Sequence, residues 1–188
     1  GKMTKAGIYI HIPFCKHKCI YCDFYSMEKR EKDIPRFVDM LIREIEMNGK
    51  NFHENWMFDT IFFGGGTPSL LEPRLLEQIL NTLDRFFNIS DAEEITLEAN
   101  PGEASGQRLA EYYKLGINRL SIGFQSLQPK LLTYLSRLHS PKDCFSIYRD
   151  ARDAGFENIN IDMIFNIPGQ SFAVFQDDLK QVVKLEPE

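Results

Sequence analysis

The stretch "DTIFFGGGTPSLLEPRLLEQILNTLDRFF", residues 59–87, contains one complete unit of the fold. Its opening "DTIFFGG" (59–65) is a β-branched and aromatic run of strand length that ends in glycine. From Glu72 to Phe87 the apolar residues return at spacings of three and four, with Pro73 just inside the start, as at the first turn of a helix. A strand, a Gly-rich turn and a helix make one β/α unit. The same order recurs on either side of it. Strand-like runs lie at "GIYIHI" (7–12), "EITLEAN" (94–100), "RLSIGF" (119–124) and "NINIDMIFNI" (158–167), and helical patterns at 34–48, 106–116, 129–138, 141–155 and 171–185. Five strands, each followed by helix, predict an α/β fold with a parallel sheet, either open and doubly wound or a barrel of the TIM kind. In both, the C-terminal strand ends build the active face. There the sequence places the glycine turn, Glu98 and Asn100, Gln125 and Asp162.

Composition narrows the function classes. With 188 residues, 43% of them hydrophobic and 26% charged, the chain is long enough for a core of its own without disulfide staples. A net charge of −5, with no Lys/Arg run interleaved with aromatics, argues against nucleic acid or an anionic membrane as partner. No apolar stretch approaches the ~20 residues of a transmembrane helix, and His11 and Pro13 arrive before a signal-peptide core could form, so a cytoplasmic location is expected. "MEKREKD" (27–33) reads as a solvated charged loop. The last helix runs into "LEPE" with no strand after it. The expectation is therefore that residues 1–188 form one core domain, the N-terminal part of a longer protein whose sixth strand and C-terminal domain are absent.

The chemistry concentrates in "HIPFCKHKCIYCDF" (11–24), where Cys15, Cys19 and Cys22 stand at C-x3-C-x2-C spacing; Cys144 lies far downstream. Three crowded cysteines suit a disulfide framework poorly in a chain of this character. Structural zinc needs a fourth ligand, which His11 or His17 would have to supply, and neither completes a finger pattern. A [4Fe-4S] cluster accepts thiolates at such spacings, and three of them leave one iron open for chemistry. "GGGTP" (64–68) taken alone is a tight turn before a helix, with Thr67 or Ser69 as cap, and it lacks the Gly-Lys-Ser/Thr of a phosphate loop. Taken singly, Glu98, Gln125, Arg137 and Asp162 read as satisfied polar groups at sheet rims or helix faces.

Together with an aromatic just before the third cysteine, the C-x3-C-x2-C motif resembles the signature of radical S-adenosylmethionine (SAM) enzymes. That resemblance implies a full or partial (β/α) TIM-like barrel, a [4Fe-4S] cluster whose open iron chelates SAM, and one-electron cleavage of the sulfonium to a 5′-deoxyadenosyl radical. The ordered set "YIHIPFC", "YCDF", "FFGGGTPSLL", "LEANP", "LSIGFQS", "LSRLH" and "IDMIFNIPGQ" is similar to one subgroup, the oxygen-independent coproporphyrinogen III oxidases and the haem chaperones related to them. Carried over by position, the resemblance implies that Cys15, Cys19 and Cys22 hold the cluster. It implies a SAM pocket lined by Tyr9, Tyr21, Gly65, Gly66, Thr67, Glu98, Gln125, Arg137 and Asp162.

Two departures separate the chain from the oxidases. Their motif continues to a fourth cysteine, where this chain has Phe24, and they carry a long arm before the first cysteine, which here is Cys15. Both features resemble the haem-chaperone branch. The resemblance thus implies a haem-binding protein that passes haem to an acceptor protein, with SAM and the cluster as further cofactors. The other readings kept in view are a coproporphyrinogen dehydrogenase that decarboxylates porphyrinogen propionates, and a plain structural iron–sulfur or zinc module. Phe24 argues against the dehydrogenase activity, and no residue is assigned a catalytic role. Among the histidines, His11 is expected to face the barrel, His17 and His53 to lie in solvated loops, and His139 to serve "LSRLH" as a hydrogen-bonding group. Cys144 is expected to be a small buried filler.

Overall fold

The computed structural model describes residues 3–17, 27–51 and 56–188. Within them the strands are β1 (Thr4–Ile12), β2 (Phe14–Cys15), β3 (Met27–Glu28), β4 (Trp56–Gly65), β5 (Glu94–Ala99), β6 (Arg119–Gln125) and β7 (Asn158–Met163). The helices are α1 (Ile34–Lys50), α2 (Pro73–Phe87), α3 (Gly106–Leu115), α4 (Pro129–Tyr134), α5 (Pro141–Ala154) and α6 (Phe172–Val183). Among the described residues β1, β4, β5, β6 and β7 form one sheet in that order, every neighbouring pair parallel. This is a five-stranded partial TIM-like barrel, one of the two architectures that the alternation of strand and helix allows and the one that the family resemblance implies.

Period-two alternation gives each strand two unlike faces. Ile10 and Ile12, Ile61 and Phe63, Leu97 and Ala99, Leu120, Ile122 and Phe124, and Ile159 are buried in a single apolar cluster. That cluster also takes in Val38 of α1, Leu76 and Ile79 of α2, Leu109 and Tyr112 of α3, and Ile147 and Ala151 of α5. Each large side chain withdrawn from water there contributes roughly 1.5–3 kcal/mol. The alternate positions point to the other face and are polar, small or aromatic. The parallel register sets Tyr9 beside Phe62 and Phe62 beside Thr96. One layer higher it sets Glu98 beside Ser121 and Ser121 beside Asn160, and at the rim Gly123 beside Asp162.

Helix ends follow their sequence signals. Ser105, Ser140 and Ser171 accept hydrogen bonds from backbone amides in the first turns of α3, α5 and α6, and Ser140 with Asp143 completes a reciprocal capping box. Asp178 of α6, fully buried, accepts from Ser126 Oγ at 3.1 Å, from the Leu127 amide at 3.1 Å and from Gln128 Nε2 at 2.8 Å. It thereby ties the last helix to the turn between β6 and α4.

Three local expectations are corrected. The strand expected over 158–167 stops at Met163, because the Ile164 amide turns to the Gln125 carbonyl at 2.9 Å and the Ile167 amide to Gln170 Oε1 at 3.1 Å. The helix expected over 129–138 stops at Tyr134. Ser136 adopts φ 60°, its amide donates to Thr133 and the Arg137 amide donates to Leu132, a Schellman-type stop built without glycine. Within 27–33, expected to be loop, Met27 and Glu28 pair with Phe14 and Cys15 as a two-residue parallel bridge. No described helix is long and apolar enough to cross a membrane.

Candidate functional site

The glycine turn at the end of β4 is locked to the chain that leads to the first cysteine. The Gly66 amide donates to the Ile12 carbonyl at 2.7 Å and the Thr67 amide to the Phe14 carbonyl at 2.6 Å. A Cβ on residue 66 would stand 2.4 Å from the Phe14 carbonyl oxygen, and one on residue 65, where φ is +106°, 2.6 Å from the His11 ring. Glycine is required at both, for close approach in one case and for that and the left-handed backbone in the other. Next to this turn Cys15 is buried, and its strand pairs with β3 through Glu28.

Two carboxylates stand across the rim. Glu98, half-buried on β5, accepts from the Gly65 amide, yet burial first and the charge of Asp162 second push its carboxyl up to about 7. Asp162 on β7 accepts from Ser121 Oγ at 3.2 Å and from Asn160 Nδ2 at 2.9 Å, and Asn160 also donates to Ser121 Oγ at 3.1 Å. Close by, β6 carries a register irregularity between Gly123 and Gln125, and Gln125 takes φ 67°, a rare backbone state for a residue with a Cβ. The side-chain nitrogen of Gln125 lies 2.6 Å from where a Cβ on residue 123 would be. A side chain at residue 123 would have to displace the Gln125 amide.

The third part is a hydrogen-bonded network entered from the loop after α4. Arg137 Nη2 donates to Asn100 Oδ1 at 2.9 Å and to the Gly123 carbonyl at 3.0 Å, and Arg137 Nε donates to His139 Nδ1 at 3.3 Å. Asn100 Nδ2 in turn donates to Thr67 Oγ1 and to Glu103 Oε2, both at 3.0 Å. His139 Nε2 lies 2.9 Å from the Phe124 carbonyl. Burial, with the Arg137 charge, lowers the His139 imidazole to about 4, so it is neutral at physiological pH.

These parts enclose one cavity of about 170 Å³. Of the residues singled out in the sequence, Cys15, Gly65, Gly66, Thr67, Glu98, Gln125, Arg137 and Asp162 line it. Tyr9 does not. It sits one layer deeper on β1, stacked on Phe62 with ring centres 5.9 Å apart, its hydroxyl 3.2 Å from His11 Nδ1, and it faces a separate groove along α1. Cys19, Cys22, Tyr21, Phe24 and His53 lie outside the described residues. Ala99, Asn100, Ser121, Gly123 and His17 also line the cavity without having been assigned to it. Asn100 carries a signal at the end of "LEAN"; Ser121 and Gly123 do not, since within a strand only the register reveals which face a small residue takes. His17, expected in a solvated loop, is half-buried with Nδ1 3.5 Å from Glu28 Oε1. His139 has the hydrogen-bonding part expected of it, and Cys144 is fully buried, its thiol pushed up to about 12 by burial.

The donor set fits SAM bound beside an iron–sulfur cluster. An arginine suits the methionyl carboxylate, two carboxylates and a serine suit an ammonium and ribose hydroxyls, and the bare glycine turn admits a ligand at backbone distance. Cys15 brings a soft thiolate ligand to the same cavity. Among the described residues no three His, Cys, Asp or Glu side chains gather to hold a metal, and two of the three clustered cysteines lie outside them.

Known proteins share both the sequence and the fold of this chain. The model of the radical SAM superfamily matches residues 9–182. The chain is 36% identical over 182 residues to the heme chaperone HemW of Bacillus subtilis (strain 168), covering 96% of this chain and 48% of that protein. It is 35% identical over 187 residues to the heme chaperone HemW of Escherichia coli (strain K12), covering 99% and 49%. The chain thus spans about half the length of these relatives. Among solved structures it resembles coproporphyrinogen III oxidase (HemN) from Escherichia coli, described as a radical SAM enzyme, with a TM-score of 0.89 and 29% identity over 99% of this chain and 43% of that one.

Proposed function

The chain belongs to the radical SAM superfamily, and from that premise we propose that it is the radical SAM core of a haem chaperone, which binds haem and passes it to an acceptor protein in the cytoplasm. The superfamily's cofactors are a [4Fe-4S] cluster and SAM; when bound, the reduced cluster supplies one electron to the sulfonium. On this reading Cys15, Cys19 and Cys22 hold the cluster. Gly65, Gly66, Thr67, Glu98, Gln125, Arg137 and Asp162 bind and orient SAM, and Tyr21 is assigned to the same pocket. Tyr9, whose ring shares with Glu98 the space beside Gly64, is assigned to the same ligand from one layer deeper.

One observation carries the cofactor half: the cavity places a cysteine of the motif, a glycine turn and the Glu98, Arg137 and Asp162 side chains around one space. The haem half rests on the relatives, at 35–36% identity over nearly the whole chain, that are named as heme chaperones. A second reading, oxidative decarboxylation of coproporphyrinogen III, is favoured by the likeness to the HemN structure. Phe24, where the oxidase signature has its fourth cysteine, weighs against it.

The test is to reconstitute the protein anaerobically with iron and sulfide, reduce it, and supply SAM with either haem or coproporphyrinogen III. A stable haem Soret band, transfer of that haem to an apo-acceptor and no decarboxylated porphyrin would support the chaperone. Conversion to protoporphyrinogen with matching 5′-deoxyadenosine would overturn it in favour of the dehydrogenase.

A further inference from the structure

We propose that His139 is a positioning residue for the SAM site: as a neutral imidazole it accepts from Arg137 Nε while anchored to the Phe124 carbonyl, and so sets the direction of the guanidinium that lines the cavity. The inference rests on the reading of that cavity as the SAM pocket.

The protonation state follows from the partners. A carbonyl oxygen can only accept, so the bond to Phe124 at 2.9 Å requires hydrogen on Nε2. An arginine Nε–H can only donate, so the 3.3 Å approach to His139 requires a bare Nδ1. Both conditions hold in a single neutral tautomer. An imidazolium would set two donors against each other beside a fixed positive charge.

Geometry says why such a clamp is needed. Arg137 leaves α4 through the left-handed turn at Ser136 and reaches the cavity from a loop. A long side chain on a loop has many rotamers, and ordering it costs conformational entropy. Here the guanidinium is gripped at Nε by His139 and at Nη2 by Asn100 Oδ1 and the Gly123 carbonyl. Asn100 is itself held on Thr67, at the glycine turn. The imidazole adds a second tie to β6, through Phe124, beside the one that Arg137 makes directly to Gly123.

Two near-isosteres separate positioning from plain structural support. Asn places its Oδ1 where the imidazole has Nδ1 and keeps the acceptor for Arg137, but cannot reach Phe124. Gln places its Nε2 where the imidazole has Nε2 and keeps the tie to Phe124, but offers no acceptor at the near position. SAM affinity and thermal unfolding would be measured on anaerobically reconstituted wild type, His139→Asn, His139→Gln and His139→Leu. The expectation is that His139→Gln melts near wild type yet binds SAM roughly tenfold more weakly, the scale of one charge-assisted hydrogen bond removed. His139→Asn should melt lower yet keep SAM affinity within about threefold, because the neutral hydrogen bond it removes lies away from the ligand. His139→Leu should be impaired in both. If SAM affinity follows melting temperature across the three variants, or stays constant in all of them while wild type binds, the inference is overturned. Absence of SAM binding to reconstituted wild type would instead overturn the reading of the cavity itself, and this inference with it.

Discussion

The Gly66 amide donates to the Ile12 carbonyl at 2.7 Å while the Phe14 carbonyl oxygen stands 2.4 Å from where a Cβ on residue 66 would be. The turn at the end of β4 is therefore pressed against the chain that runs into Cys15. The atoms in the way belong to backbone, which cannot swing aside as a side chain would. Gly66→Ala should destabilise the protein by about 1–3 kcal/mol, the range for overpacking a filled space. It should also lower the iron bound per chain, because the displaced segment carries the first cysteine. Urea unfolding and iron analysis of reconstituted protein check the two halves separately.

Glu98 gives a pH dependence whose sign is set by its environment. Its folded carboxyl, at about 7, lies above the ordinary value of 4.5, so between those two pH values the folded protein holds a proton that the unfolded chain has released. Stability from this group is present below about pH 4.5 and falls as pH rises to about 7. Glu98→Gln keeps an acceptor for the Gly65 amide but removes the buried charge. At pH 8 it should stabilise the cofactor-free protein by about 1–3 kcal/mol, discounted for the part of the carboxylate that water still screens. At about pH 4 the difference should vanish, and SAM affinity should fall mainly above about pH 7, where the wild-type side chain carries its charge. An equal stability difference in acid and at pH 8 would show that the charge is not its cause.

Asp178 tests how the last helix is held. Its carboxylate is fully buried and accepts from Ser126, Leu127 and Gln128. Asp178→Ala leaves the Leu127 amide and the Ser126 hydroxyl without this acceptor and should cost about 2–4 kcal/mol. The melting curve reads that destabilisation. The β6–α4 turn leads toward Arg137, so SAM binding is expected to weaken as well, though by less than in Arg137→Ala.

Cys144 and the clustered cysteines should behave in opposite ways. The Cys144 thiol is buried within α5 and its ionisation is pushed up to about 12, so it is a poor metal ligand and a weak nucleophile. Cys144→Ala should leave iron and sulfide content unchanged. Cys15→Ser and Cys19→Ser should each abolish cluster retention while leaving the fold, followed by circular dichroism, intact.

Much of the fold was legible because parallel strands buried on one face keep strong signals. "DTIFFGG", "EITLEAN" and "RLSIGF" each carry β-branched residues next to a boundary at glycine, asparagine or glutamine, and all lie on strands of the sheet, the second only to Ala99. At the site, Glu98, Arg137 and Asp162 taken singly read as ordinary polar groups; only the family resemblance groups them with Cys15, and all four line one cavity. What stayed hidden depends on three-dimensional register. Ser121 joins the cavity only because it lies beside Glu98 and Asn160 on the ladder, and no local pattern tells it from Ser126, which bonds Asp178 instead. The β2–β3 bridge is too short to have a period. Ser136 ends α4 in a left-handed conformation usually left to glycine, so the helical pattern ran on to residue 138 without a stop signal. Tyr9, which the resemblance assigns to the SAM pocket, has its ring stacked on Phe62 and its hydroxyl beside His11, one layer below Glu98, a placement that only the sheet register reveals.

Whether the cavity at the strand ends brings SAM onto a cluster held by Cys15, Cys19 and Cys22 can be read by electron paramagnetic resonance. The anaerobically reconstituted, reduced protein would be recorded with and without saturating SAM. A [4Fe-4S]⁺ signal whose g-values change when SAM is added is expected, with a much smaller change in Arg137→Ala. A reduced-cluster spectrum that SAM leaves unaltered in folded wild-type protein would rule the arrangement out.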